Sequence, residues 1–129
     1  HTRLQGDWEF RRVLFRSKLG TAALGAYQTH FEGNHYIYTQ FEAMHARKAF
    51  PSFDEPAFKF PYQLTIEAPA NHVVVSNTPV ESTEKSGDRK TVRFARTKPM
   101  SSYLIAFAVG PMDATPITGL SIPGTLYSP

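Results

Sequence analysis

Residues 25–41, GAYQTHFEGNHYIYTQF, read as two strands folded back on each other. Tyr27, Thr29 and Phe31 alternate with Gln28 and His30, the period of a half-buried strand. Glu32-Gly33-Asn34-His35 follows as a turn, with Gly-Asn expected to supply the positive φ values of a tight hairpin. Residues 36–41, YIYTQF, return as a second strand rich in aromatic and β-branched side chains.

The same pattern continues outward. Residues 60–68, FPYQLTIEA, alternate Tyr62, Leu64, Ile66 and Ala68 against Gln63, Thr65 and Glu67, with Pro61 tolerable only near the start of a strand or on an edge. Residues 73–76, VVVS, form a short apolar strand before the Asn77-Thr78-Pro79 break. Segments 80–84 and 90–96 flank Ser86-Gly87-Asp88, a hairpin signal. Tyr103–Val109 reads as one continuous apolar strand, central and buried on both faces. Beyond Gly110 the spacing of Pro111, Pro116, Gly119, Pro123, Gly124 and Pro129 reads as a loop or an unfinished strand. Only Ala43–Lys48 is suited to a helix, of one or two turns, stopped by Pro51. The expected fold is all-β, an antiparallel-rich β-sandwich or saddle-like sheet with one short helical turn.

With 129 residues the chain holds one domain at most, or part of one. The formal charge of +3 is uneven: Arg3, Arg11, Arg12 and Arg16 stand against Asp7 and Glu9 in residues 1–17. The other 112 residues carry 10 basic and 9 acidic side chains, so a basic groove for nucleic acid is not expected. Residues 1–17 have neither alternation nor a helical stripe. They resemble translated adapter read-through or a disordered leader, and are set aside from the fold as non-native. There is no cysteine, hence no disulfide and no thiolate metal site. No run of about 18 apolar residues is present to span a membrane as a helix. The compartment stays open.

Chemistry concentrates in residues 39–60, TQFEAMHARKAFPSFDEPAFKF. Glu42 and the pair Asp54-Glu55 are interleaved with Phe41, Phe50, Phe53, Phe58 and Phe60 and pinned by Pro51 and Pro56. A carboxylate among rings is expected to be desolvated and to need a cation, either an internal one such as Arg47 or a substrate. This run resembles the signature in the amino-terminal β-domain of aminopeptidase-N-type (gluzincin) zinc metallopeptidases. The resemblance continues through VVVSNTPVE (73–81) and FARTKPMSSYLIAFAVGPMD (94–113), three blocks in the family's order that cover roughly residues 25–113.

The resemblance implies an incomplete β-domain: residues 18–113 the partial domain, residues 114–129 a Pro/Gly-rich loop or truncated end. It implies that Glu42 binds the α-ammonium of a peptide substrate and that Gln40 lines the pocket for the first side chain. Arg47, Asp54 and Glu55 are then architecture, with Asp54 or Glu55 paired to Arg47 to lock the loop below Glu42. Ser52 departs from the family's usual cysteine, and His45 from a frequent aspartate. Family catalysis uses zinc held by H-E-x-x-H and a downstream glutamate, with a G-A-M-E-N loop; none of these motifs occurs in the 129 residues. The implied partners are a peptide with a free amino terminus and the catalytic domain of the same protein. No catalytic residue and no cleavage are expected of this chain alone.

His30, His35, His45 and His72 lack H-E-x-x-H or comparable spacing, and two histidines flanking a hairpin without a third ligand are a poor zinc site. No metal is expected. Ser101-Ser102 has no G-x-S-x-G setting for a nucleophile. Two other functions stay open: a non-catalytic protein-interaction scaffold related to the same family, and a free-standing β-sandwich module binding glycans or peptides through its aromatic side chains.

Overall fold

The first hairpin forms with a shorter loop than the sequence reading expects. The computed structural model describes residues 19–129, and the expectation for residues 1–17 lies outside them. Strand β1 (Gly25–Phe31) pairs antiparallel with β2 (Asn34–Gln40), and Phe31 faces Asn34. The positive φ values belong to Glu32 (47°) and Gly33 (80°), not to Gly33-Asn34. A two-residue turn that matches strand twist needs φ above zero at both central positions, so Asn34 already opens β2.

Downstream the chain adds β3 (Lys59–Phe60), β4 (Thr65–Pro69), β5 (Val73–Ser76), β6 (Val80–Ser86), β7 (Arg89–Phe94), β8 (Met100–Ser101), β9 (Phe107–Gly110), β10 (Asp113–Ile117) and β11 (Gly124–Ser128). They build a four-stranded sheet in the order β1-β2-β9-β5 and a three-stranded sheet in the order β4-β7-β6. β3-β8 and β10-β11 form two-stranded ribbons. All of these strand pairs are antiparallel. The fold is all-β.

One apolar cluster joins the two larger sheets. Val74 and Val109 come from the first, Ala68, Val92 and Phe94 from the second, with Ile37, Leu64, Ile66 and Phe107 against them. β4 and β7 place alternate side chains in this layer, Ile66 and Ala68 from one and Val92 and Phe94 from the other, which is why period-two alternation is legible in them. β6 is exposed along its whole length at the edge of its sheet. Its Glu81, Glu84 and Lys85 are charges of the kind that discourage edge pairing.

Two segments read as continuous strands are broken, each for a physical reason. Pro61 has no N–H, so residues 61–64 leave the ladder. They are held instead by Tyr62 N–H donating to Thr97 Oγ1 (2.9 Å) and by Thr97 and Phe94 N–H donating to the Tyr62 and Leu64 carbonyls. In 103–109, a 3-10 turn at Ser102–Leu104 precedes β9. The Asn77 side chain donates to the Leu104 carbonyl (2.9 Å) and accepts from Ala106 N–H (2.8 Å), taking backbone groups a ladder would have used. β9 is nevertheless central, between β2 and β5. The expected helical segment is a single 3-10 turn, Ala46–Lys48. The Pro/Gly-rich end is not a loop throughout: β10 and β11 make an exposed ribbon. Pro116 is accommodated there because a two-stranded ribbon has only edge strands.

Gly110 on β9 marks the tightest approach in the core. A Cβ at this buried position would stand 2.4 Å from Tyr36 Cδ1, and Tyr36 is 2% exposed. Gly110→Ala is therefore expected to destabilise the domain by about 1–3 kcal/mol through overpacking. Urea unfolding should show a lower midpoint with an unchanged slope; an unchanged midpoint would mean that Tyr36 yields freely.

Candidate functional site

Phe41 decides where its neighbours go. It is 2% exposed and packs with Ala46 and Ile105 in a second apolar cluster that includes Ala49, Phe50, Tyr62 and Phe107. Its ring meets Phe50 edge-on at 5.9 Å and Phe107 at 6.5 Å. With Phe41 buried, Gln40 and Glu42 on either side of it are both exposed. β2 ends at Gln40 and Glu42 stands in the turn that follows, so the two exposed side chains flank the point where the chain goes under. The Glu42–Ala43 peptide is cis.

This corrects one expectation. Glu42 is not desolvated among the rings; the buried carboxylate is Asp54, 1% exposed. Aromatic interleaving marks burial along the chain, but which carboxylate goes under depends on where the donors are, and they surround Asp54. Ser52 Oγ donates to Oδ1 at 2.6 Å and Ser102 Oγ to the same oxygen at 2.8 Å. Arg47 donates to Oδ2 twice, from Nε at 2.8 Å and from its backbone N–H at 3.1 Å. Burial by itself pushes the Asp54 carboxyl up, but the hydrogen bonds from Ser52, Arg47, Ser102 and the Arg47 backbone outweigh it and hold the pKa at about 2.

The ion-pair partner of Arg47 is thus Asp54, while Glu55 is exposed, acts on Arg47 through its charge alone and accepts from Phe58 N–H through its carbonyl at 3.0 Å. Ser101 Oγ adds a bond to the Pro56 carbonyl at 2.8 Å. Residues 46–56 are in this way stapled to residues 101–102, directly after the turn that carries Glu42. Sequence reasoning missed Ser102 and Ser101, and only the third matched block, which contains them, signals that they belong with the second. His45 packs beside this turn with Nδ1 buried and unpartnered.

A shallow groove of about 300 Å³ lies across β2, β9 and β5, lined by Tyr38, Thr39, Val75, Asn77 and Phe107 among others. Thr39 directly precedes Gln40 and its Oγ1 accepts from Phe107 N–H at 3.1 Å. The ion pairs among the described residues join Arg47–Asp54, Arg89–Glu67 and Arg93–Glu81, so none of them uses Glu42. Also among the described residues, no three His, Cys, Asp or Glu side chains are grouped to hold a metal. Among the same residues, no helix is long and apolar enough to cross a membrane.

Comparison with known proteins gives the family. Residues 10–104 match the Peptidase M1 N-terminal domain family. The chain belongs to that family. Aminopeptidase M1-B of Oryza sativa subsp. japonica is 40% identical over 114 residues, which are 88% of this chain and 12% of that protein. Aminopeptidase N of Acetobacter pasteurianus is 41% identical over 99 residues, 76% of this chain and 28% of that protein. Puromycin-sensitive aminopeptidase of Caenorhabditis elegans is 47% identical over 77 residues, 58% of this chain and 8% of that protein. The chain thus spans less than a third of the length of each of these relatives.

The Asp54 network yields a pH prediction with a defined sign. The folded pKa of about 2 lies below the ordinary carboxylate value of 3.8, so the folded state binds the Asp54 proton more weakly than the unfolded chain does. The stabilisation, on the order of 2 kcal/mol, is fully present above about pH 4 and is lost as pH falls toward 2. Asp54→Asn should remove this pH dependence and destabilise by about 3 kcal/mol at neutral pH. Arg47→Ala should cost clearly less than Asp54→Asn, because the guanidinium is half exposed. Urea unfolding between pH 2 and 7 tests both; equal costs for the two variants would show that the ion pair, and not the hydroxyl donors, holds the loop.

Proposed function

We propose that this chain is the substrate-positioning β-domain of a zinc aminopeptidase that removes amino-terminal residues from peptides. Glu42 binds the free α-ammonium of the substrate, and Gln40 lines the pocket for its first side chain. The observation that supports this reading is the joint exposure of Gln40 and Glu42 on either side of the buried Phe41, beside a loop whose Arg47 is committed to Asp54.

The chemistry fits the task. An aminopeptidase must find one positive charge at a fixed distance from the scissile carbonyl, and charge-assisted hydrogen bonds to a carboxylate are about twice as strong as neutral ones. The amide of Gln40 offers both donor and acceptor without demanding a charge of the side chain it meets. Zinc, held by the catalytic domain of the same protein, supplies Lewis-acid activation of the peptide bond. The residues of this chain bind and orient, so the isolated chain cleaves nothing. Holding the amine restricts where the first peptide bond can lie, a contribution of orientation.

In the complete enzyme, Glu42→Ala should lower kcat/KM for peptides with a free amino terminus by about one to two powers of ten, from the loss of a charged partner worth roughly 1.5–3 kcal/mol. Amino-blocked peptides should already be poor substrates and change less. Steady-state kinetics on matched free and acetylated peptides makes the test. An equal loss on both would assign Glu42 to folding and overturn the reading.

A further inference from the structure

The two-residue turn at Glu32-Gly33 makes Phe31–Asn34 the closing pair of the first hairpin and puts His30 directly across from His35. Opposed side chains on antiparallel strands stand close enough to touch. The two rings meet edge to face with centroids 4.2 Å apart. Gln28, two residues before His30 and on the same face of β1, reaches both of them. Its amide nitrogen lies 3.3 Å from His30 Nε2 and 3.0 Å from His35 Nδ1.

An amide nitrogen only donates, so each imidazole accepts through the nitrogen facing it, and each carries its proton on the other nitrogen. Two imidazole lone pairs therefore converge on one point, now filled by the Gln28 amide group. That is the donor arrangement a transition-metal ion needs: neutral imidazoles, bare nitrogens inward. Metal–nitrogen bonds of 2.0–2.1 Å ask each ring to close in by about 1 Å, and both histidines are exposed side chains free to do so. With the Gln28 amide turned over and its side chain drawn back from that point, its oxygen faces the same space as a third donor, which the sequence pattern of two histidines does not reveal.

We propose that His30, His35 and Gln28 form a site for a late first-row divalent metal ion, Cu2+ before Ni2+ and Zn2+. The order follows from the general affinity series for nitrogen and oxygen donors, with water completing the coordination. The site lies five residues along β2 from Gln40, about 17 Å at strand spacing, so it is independent of the proposed substrate contacts. It would clamp the hairpin through its two strands, and the folded chain would gain stability from the ion by mass action.

The test titrates the 129-residue chain with CuCl2, NiCl2 and ZnCl2 by calorimetry and records the electron paramagnetic resonance of the Cu2+ complex. A 1:1 Cu2+ complex coupled to two imidazole nitrogens is expected, with weaker Ni2+ and Zn2+ binding. His30→Ala and His35→Ala should each weaken Cu2+ at least tenfold, since losing even a group behind a metal ligand costs about 10–100-fold. Each should also reduce the coupling to one nitrogen, while far-UV circular dichroism stays that of the parent. His1→Ala, His45→Ala and His72→Ala should leave the affinity unchanged. Coupling to a single nitrogen in the parent, retained affinity in either hairpin variant, or binding that follows His1 would overturn the assignment.

Discussion

A carboxylate with almost no access to water has to be surrounded by donors or give up its charge, and the loop from Ala46 to Pro56 is organised by that requirement at Asp54. Four hydrogen bonds reach its two oxygens, from Ser52, Ser102 and twice from Arg47. Three of them come from within seven residues of sequence and close the loop on itself. The fourth, from Ser102, crosses 48 residues and fastens the loop to the segment that leads into β9. Desolvation raises the cost of every donor that is absent, so the network behaves as a unit. The same burial that makes the charge expensive makes its position unique.

Function along β2 divides with depth. Asn34 and His35 are exposed at the hairpin end, Tyr36 is buried against Gly110 in the middle, and Gln40 returns to the surface just before Phe41 goes under. Tyr36 and Phe41 fix the strand at two points, which leaves the polar side chains beyond each of them held in place without being buried themselves. A binding residue needs both properties: enough exposure to meet a ligand and a backbone that does not have to be ordered when the ligand arrives.

Much of this was legible in the sequence, for a reason that also marks the limit. Strands that face one apolar layer must alternate, so β4 and β7 show their period, and Gly33 and Gly87 mark the turns of the β1–β2 and β6–β7 hairpins. The pairing of Arg47 is a local question, and the sequence left Asp54, Glu55 and Glu42 as its choices. What it did not show depends on groups far away in the chain. The break before β9 is made by the Asn77 side chain, 27 and 29 residues from its two partners. Glu42 lies outside the aromatic cluster because Phe41 and Phe50 turn toward Phe107 and Tyr62, contacts that no local window contains. Pro116 suits β10 only because that strand has a free edge.

The competition for Arg47 explains why a carboxylate suited to a ligand can sit so near a cation without being neutralised by it. Arg47 could in principle serve Glu42 or Asp54. An ion pair between two exposed side chains is worth little, whereas a carboxylate shut away from water has to be met by protein donors. Leaving the buried Asp54 short of a donor costs more than leaving the exposed Glu42 to water, so the guanidinium stays with Asp54, Nε to Oδ2 at 2.8 Å. Water is a tolerable partner for Glu42 until a better one arrives. A substrate ammonium that brings its own enclosing surface changes the comparison, because excluding water from around Glu42 strengthens the pair the ammonium makes. The salt bridge to the buried Asp54 thus bears on recognition indirectly, by committing Arg47, five residues along the chain, to a partner other than the carboxylate proposed to meet the substrate.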